Sequence, residues 1–335
     1  MSRPDLRVVA LRARIIAALR RALDDRGFLE VETPGLVPAP GQDPHLRCFT
    51  VQDAEGRPRG YLRTSPEHAA KRLLARGLSR IYELGKVFRD EPPSNQHQPE
   101  FTMLEFYRAQ ATTDQTKDDC ADLVRAAGAV VAPDLEFRRA GQTLDLRRRP
   151  VSITISEITE ADLALDWRAH PDAGDLLAAA EAGGLRFGQG PWSWDAVFTK
   201  LVLEVVEPAL PRDRIVFLEG FPASQASYAR LAPADPTEAD RFEMYIAGVE
   251  LANAFGELTD PAEQRRRFEV WREERRQDGG PDYPLDEPFL AELADMPDAA
   301  GVALGVDRLV QVLLDAGALD EVMLFPDRLP AAGDD

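Results

Sequence analysis

The sequence predicts an α+β fold, an antiparallel sheet flanked by helices. Three segments carry that expectation: two strand arms between Glu83 and Tyr107, a hairpin pattern from Glu243 to Glu257 that turns near Ala247-Gly248, and a small-residue strand, Gly301 to Gly305, entering an amphipathic helix. In the first, Val87-Phe88-Arg89 closes one arm, while Pro92, Pro93, Ser94 and Asn95 break the loop. Phe101 to Tyr107 then returns with the aromatic, Thr and Met content of a strand.

The remaining elements follow in order. Leu11, Ile15, Ile16, Leu19 and Leu23 form a helical stripe that stops at Gly27, ahead of a strand over Phe28 to Val31. A loop rich in Pro and Gly spans Pro34 to Asp43, with short strands around Phe49 to Val51 and Tyr61 to Thr64. A helix over Pro66 to Arg76 takes Ser65 as its N-cap and Glu67 in its first turn. Thr113 to Val131 reads as helix. Residues 150–212 read as a helical insertion, with periodicity over Ser156 to Leu163, Asp175 to Ala182 and Trp194 to Val206, and Ile215 to Leu218 returns to the sheet. Leu309, Val312, Leu313 and Leu314 give the last helix its apolar face, with Gly317 expected as its C-cap. Residues 1–329 are expected to form one domain and 330–335 a disordered tail.

Composition narrows the chemistry. The 335 residues carry a formal net charge of -18, against the basic patch that a nucleic-acid binder usually needs. Cys48 and Cys120 are the only cysteines and have no paired spacing, so neither a disulfide framework nor a thiolate metal site is expected. The four histidines, His45, His68, His97 and His170, show no ligand spacing. Met1 to Asp5 is charged without an apolar signal core, and no apolar run approaches membrane length, so a cytoplasmic location without membrane contact is expected.

Period-two geometry puts Phe101, Met103, Glu105 and Tyr107 on one strand face and Thr102, Leu104 and Phe106 on the other. An aromatic, a carboxylate and a phenol beside a fixed Arg89 suit base stacking, ammonium binding and phosphate clamping, although an ordinary half-buried hairpin would carry the same pattern. Arg308 falls in the first turn of the last helix, where a cation meets the positive dipole end, which points to an anionic partner. Gly301 and Gly305 would let a flat ligand lie on the backbone.

Taken with RALDDRGFLEVETPGL (Arg21 to Leu36), FRDE, HQPEFTMLEFY, GVELANAFGELTD (Gly248 to Asp260) and GVALGVDRL, these segments resemble motifs 1, 2 and 3 of class II aminoacyl-tRNA synthetases of the lysyl branch, in order and spacing. The match covers nearly the whole chain. TSPEHAAKRLL (Thr64 to Leu74), FPASQAS (Phe221 to Ser227) and Ala303 within GVALG are more similar to the elongation factor P lysine ligases, which lack the anticodon-reading barrel for which this chain has no room.

The resemblance implies ATP-dependent activation of (R)-β-lysine or lysine, with pyrophosphate release, then transfer to a lysine of elongation factor P. Catalysis falls to Arg89 at the α-phosphate and Arg308 at the γ-phosphate end. Asp90, Glu91, His97, Gln98, Phe101, Glu250, Leu251 and Gly305 complete the ATP site, Phe101 by stacking on adenine. Glu243 and Glu250 would hold Mg²⁺, although a pair of solvated acids is the plainer reading of those two residues alone. Ser65, Pro66, Glu67, Glu105, Tyr107, Asn253, Phe255, Glu257 and Ala303 form the amino-acid pocket, an acidic set without an evident cation that suits a diamino substrate. Motif 1 implies a homodimer, and tRNA is not the expected acceptor. A stand-alone tRNA-charging core and a non-catalytic regulatory paralogue are the rival readings.

Several residues depart from the lysyl pattern: Asp90 and Gln98 where Asn is usual, Gly256 where His or Ser is usual, and a Pro-rich motif 2 loop, Pro92 to Gln96. A parity conflict also arises, since Leu251, Asn253, Phe255 and Glu257 share one strand face and Glu250 falls on the other. A bulge near Glu250 would resolve it.

Overall fold

A computed structural model of the chain describes residues 5–44 and 46–326. The expected tail at 330–335 and His45 lie outside the described residues. Helix α1 spans Leu6–Asp24 and closes on Gly27, whose φ of 74° lets the chain reverse into the two-residue strand β1, Leu29–Glu30. Helix α2 spans Glu67–Ala75 with Pro66 at its N-cap instead of the expected Ser65, whose Oγ, one residue earlier, accepts the Glu67 N–H at 2.9 Å.

Strands β2 (Arg80–Phe88) and β3 (Glu100–Ala109) form the long hairpin, and α3 (Thr113–Val131) follows it with the bounds the periodicity gives. Strand β4, Val151–Thr154, was hidden in the stretch expected to be helical insertion. Only after it come α4 (Ile155–Leu163), α5 (Ala173–Ala182) and α6 (Trp194–Leu201), the last continuing through a π-helical turn, Val202–Val206. Strands β5 (Ile215–Glu219), β6 (Arg241–Ile246) and β7 (Val249–Gly256) precede α7 (Pro261–Gln277) and α8 (Glu287–Glu292). Strand β8 (Ala299–Gly305) then runs into α9 (Val306–Leu313). That helix stops before the residue expected to cap it, and the left-handed position after it is Asp315, φ 52°, rather than Gly317.

The strands make one eight-stranded sheet in the order β1-β2-β3-β8-β7-β6-β5-β4. Its six central strands are antiparallel, while β1 and β4 join the two edges in parallel. A parallel edge strand needs a crossover, which α4 to α6 supply between β4 and β5. One sheet face buries Leu104, Phe106, Phe242, Met244, Ala252, Ala254, Val302 and Leu304 against α1, α3 and α9. The opposite face carries the polar residues.

The parity conflict is resolved by a bulge. Met244 pairs with Ala252 and Tyr245 with Glu250, so Leu251 is the extra residue. Glu250 is thereby returned to the polar face, alongside Asn253 and Glu243. Leu251, expected in the ATP site, goes the other way and lies 2% exposed in the core. Its side chain therefore cannot meet ATP.

Candidate active site

The polar face divides into two connected regions. The first is a cavity of about 480 Å³ lined by Ser65, Pro66, Glu67, Arg89, Glu105, Asn253, Phe255 and Ala303, so eight of the expected residues converge. Cross-strand register explains the convergence: Glu105 sits opposite Ala303, and Ala303 opposite Asn253. Ser65 Oγ donates to Glu105 Oε1 at 2.5 Å and the Tyr107 hydroxyl to Oε2 at 2.6 Å. Tyr107 and Glu257 stand behind the wall, both buried.

A buried cation stands behind the pocket wall, in addition to the set expected there. Lys71, one helical turn after Glu67, is fully buried with Nζ 2.6 Å from Glu67 and 2.6 Å from Glu257. Burial opposes its charge, but the two carboxylates outweigh that and hold it above its ordinary pKa. Even so, three carboxylates face one ammonium. Burial and then the Glu67 charge push Glu105 up to about 7, and burial pushes Glu257 up to about 8 against the pull of Lys71. The i, i+4 spacing of Glu67 and Lys71 on a helix was a usable signal for this pair.

Two glycines behave differently from one another. A Cβ at Gly305 would meet nothing nearer than 3.8 Å, leaving open backbone for a flat ligand. At Gly301 a Cβ would lie 2.2 Å from Glu257 Oε1 and 2.5 Å from the Tyr107 ring, so protein side chains, not a ligand, fill that space. Gly256 follows the same logic. A Cβ there would fall 2.1 Å from Asp240 Oδ2, and that carboxylate is held by Thr113 and Arg230. The space that a larger residue would need is occupied, which accounts for this departure from the lysyl pattern.

The second region lies at the end of β8. Arg308 donates to the Glu250 carbonyl at 3.0 Å, to the Gln96 carbonyl at 3.2 Å and to His97 Nε2 at 3.0 Å. Because a guanidinium only donates, His97 must accept at Nε2, which places its proton on Nδ1, facing Ser94 Oγ at 3.1 Å. Burial and the Arg308 charge keep the imidazole below its ordinary pKa and neutral. Arg308 does not stand alone at the helix start, since Asp307 beside it pairs with Arg12 at 2.5 Å and accepts the Thr102 N–H at 2.6 Å.

Arg89 lies over the Phe101 ring, 5.2 Å from its centroid, and its Nε is buried without a partner. The backbone N–H groups of Asp90 and Glu91 donate to the Arg47 and Arg89 carbonyls. Gln98 is buried and its amide donates to Asp320 at 2.6 Å, a contact across the chain that no local pattern marks.

Glu243 accepts from Arg241 at 2.6 Å and from Tyr245 at 2.8 Å. Arg241 was not anticipated, yet it also reaches Asn253 Oδ1 at 3.2 Å and so links the two regions. Burial raises the Glu243 pKa, Arg241 opposes the rise and Glu250 adds to it. Two neighbouring carboxylates fit a divalent cation whose remaining ligands are phosphate and water, although no group of three or more metal-ligating side chains occurs among the described residues. That arrangement can do three things: hold an ammonium, hold a polyphosphate and bring a carboxylate between them.

The family model for class II tRNA synthetases (D, K and N) matches residues 3–329. The chain belongs to that family. Among curated relatives of this class II group, a Haemophilus influenzae (strain PittGG) protein is 37% identical over 327 residues, covering 96% of this chain and 95% of the relative. An Edwardsiella ictaluri protein is 40% identical over 94% of this chain and 93% of its own length, and one from Yersinia enterocolitica is 39% identical over the same shares. All three are called elongation factor P--(R)-beta-lysine ligase. No described helix is long and apolar enough to cross a membrane.

Proposed function

We propose that this class II chain uses ATP to activate (R)-β-lysine, or lysine, as an aminoacyl-adenylate and transfers the acyl group to the ε-amine of a lysine on elongation factor P. The observation that carries the proposal is the cavity itself. Glu67 and Glu105 line it together with Arg89, and directly behind them Lys71 is buried between Glu67 and a third carboxylate, Glu257. An excess of buried carboxylate recruits a substrate with two ammonium groups, and full-length similarity to the ligases supports the β-lysine reading.

Activation joins the substrate carboxylate to the α-phosphorus as pyrophosphate leaves, and negative charge on the phosphate oxygens must be met during that exchange. Arg89 is assigned to the α-phosphate, where its partnerless buried Nε is available. Arg308 takes the γ-phosphate end, where neutral His97 accepts one of its N–H groups and the Glu250 carboxylate lies 3.4 Å away. Phe101 stacks on adenine and Gly305 gives the base room. Glu243 and Glu250 would hold Mg²⁺, which when bound neutralises charge on the phosphates. No side chain acts as covalent nucleophile. In the second step the acceptor amine attacks the acyl carbon and AMP departs. Ala303 narrows the pocket opposite Glu105 by one methyl and favours a displaced amino group.

Intact-mass measurement of elongation factor P after incubation with the chain, ATP and each lysine isomer tests the proposal. A mass gain of one lysyl group is expected with either isomer, on a larger fraction of the elongation factor with the β isomer. An unchanged mass with both isomers overturns it, and charging of tRNA in that same mixture would assign the chain to aminoacylation instead.

A further inference from the structure

The cavity of about 480 Å³ has lining residues that take no part in activation as described above. This part of the lining, the outer lobe, includes Asp43 from the loop following Pro34, His68 from the start of α2 and Ser227 from the segment before β6. Ser227 Oγ donates to Asp43 Oδ1 at 3.1 Å, and Arg275 donates to the Asp43 carbonyl at 3.2 Å, so the loop is pinned with its carboxylate facing the cavity. His68 is held apart, between Asp286 at 3.2 Å and the Tyr228 hydroxyl at 3.2 Å, and stacked on Phe289. Both its nitrogens are engaged. Asp43 is therefore the carboxylate of this outer lobe that remains open to an incoming group.

Transfer makes a demand that activation does not. The acceptor lysine arrives as an ammonium, with an ordinary pKa of about 10.4, and cannot attack carbon until it loses a proton. We propose that the outer lobe admits the acceptor lysine and that Asp43 is its general base, an assignment that rests on the transfer reaction proposed above. One proton passes from the ammonium to the Asp43 carboxylate. The freed nitrogen pair forms the C–N bond, the bond from the acyl carbon to the phosphate oxygen breaks, and the second N–H proton leaves with AMP. Asp43 then returns its proton to water.

The charges facing Asp43 come from three elements: Glu67 and His68 on α2, Arg89 from the motif 2 hairpin and Arg275 from α7, with the Tyr228 phenol beside them. Burial, then the Glu67 charge, raises the Asp43 pKa, against Ser227, Arg89 and His68. A carboxylate so raised is a better proton acceptor than one in water.

The test separates the two steps. Asp43→Asn keeps the size and the Ser227 contact but cannot take a proton. Pyrophosphate exchange with lysine should stay within about twofold, while transfer to elongation factor P should fall about 100-fold or more, the usual worth of a positioned base. Hydroxylamine is neutral at pH 7 and needs no base, so hydroxamate formation should survive in the variant, and Asp43→Glu should recover part of the protein transfer. Transfer by Asp43→Asn at the unmodified rate, or parallel loss of transfer to both acceptors, overturns the assignment of Asp43. Failure of the unmodified chain to modify elongation factor P would instead overturn the underlying reaction.

Discussion

Lys71 sets the electrostatics of the pocket, because one ammonium cannot neutralise three carboxylates at once. With Glu105 pushed up to about 7 and Glu257 up to about 8, the folded protein holds protons that the unfolded chain, with carboxylates near 4.5, has already lost. Unfolding free energy contributed by these groups is fully present below about 4.5 and is lost as pH rises through 7 to 8. We expect the melting temperature of the ligand-free protein to fall between pH 5 and pH 8 relative to Glu105→Gln, and saturating lysine to remove that fall by supplying the missing ammonium. A melting temperature that rises with pH relative to the variant would contradict the assignment. Glu67 and Glu105 were legible from their positions in motifs. Lys71 was missed because a lone Lys on a helix ordinarily reads as a solvated residue.

At the scale of elements, the β6–β7 hairpin does the most positioning. Its turn, Ala247-Gly248, has φ of 52° and 77°, the two left-handed residues of a turn that matches strand twist. Gly248 adopts this conformation freely and Ala247 does not. Ala247→Gly should therefore raise stability by about 1 kcal/mol, read as a shift in the denaturation midpoint at unchanged slope. A loss of stability would show that unfolded-chain entropy outweighs the relieved strain. The bulge at Leu251, three residues after the turn, decides that Glu250 rather than Leu251 joins Glu243. Alternation alone exposed the conflict and named the remedy, because a period-two count fails visibly when a required residue lands on the wrong face. Strand β4 was not legible, since four residues of β character ahead of three helices carry too little periodicity to stand out.

Across the whole molecule, the sheet separates stability from chemistry: one face is packed by α1, α3 and α9, and the other carries the site. The β1 edge and the segment after it leave Leu29 54% and Leu36 47% exposed within motif 1. Exposed leucines on a sheet edge favour pairing with a second copy. We expect sedimentation velocity to give a dimer and Leu29→Glu with Leu36→Glu to give a folded monomer; a monomeric unmodified chain would refute the motif 1 dimer.

The sequence by itself determined the fold class, the order of the strands that carry motifs, and most pocket residues, because period-two alternation and ordered motifs are local in the chain. Tertiary structure alone decided that Lys71 lies between Glu67 and Glu257, that Arg241 joins Asn253 to Glu243, that Leu251 turns inward and that Asp43 meets the cavity. Each of these depends on which distant segments pack together and on how burial changes a charge, and neither quantity is written in the spacing of residues along one strand or helix.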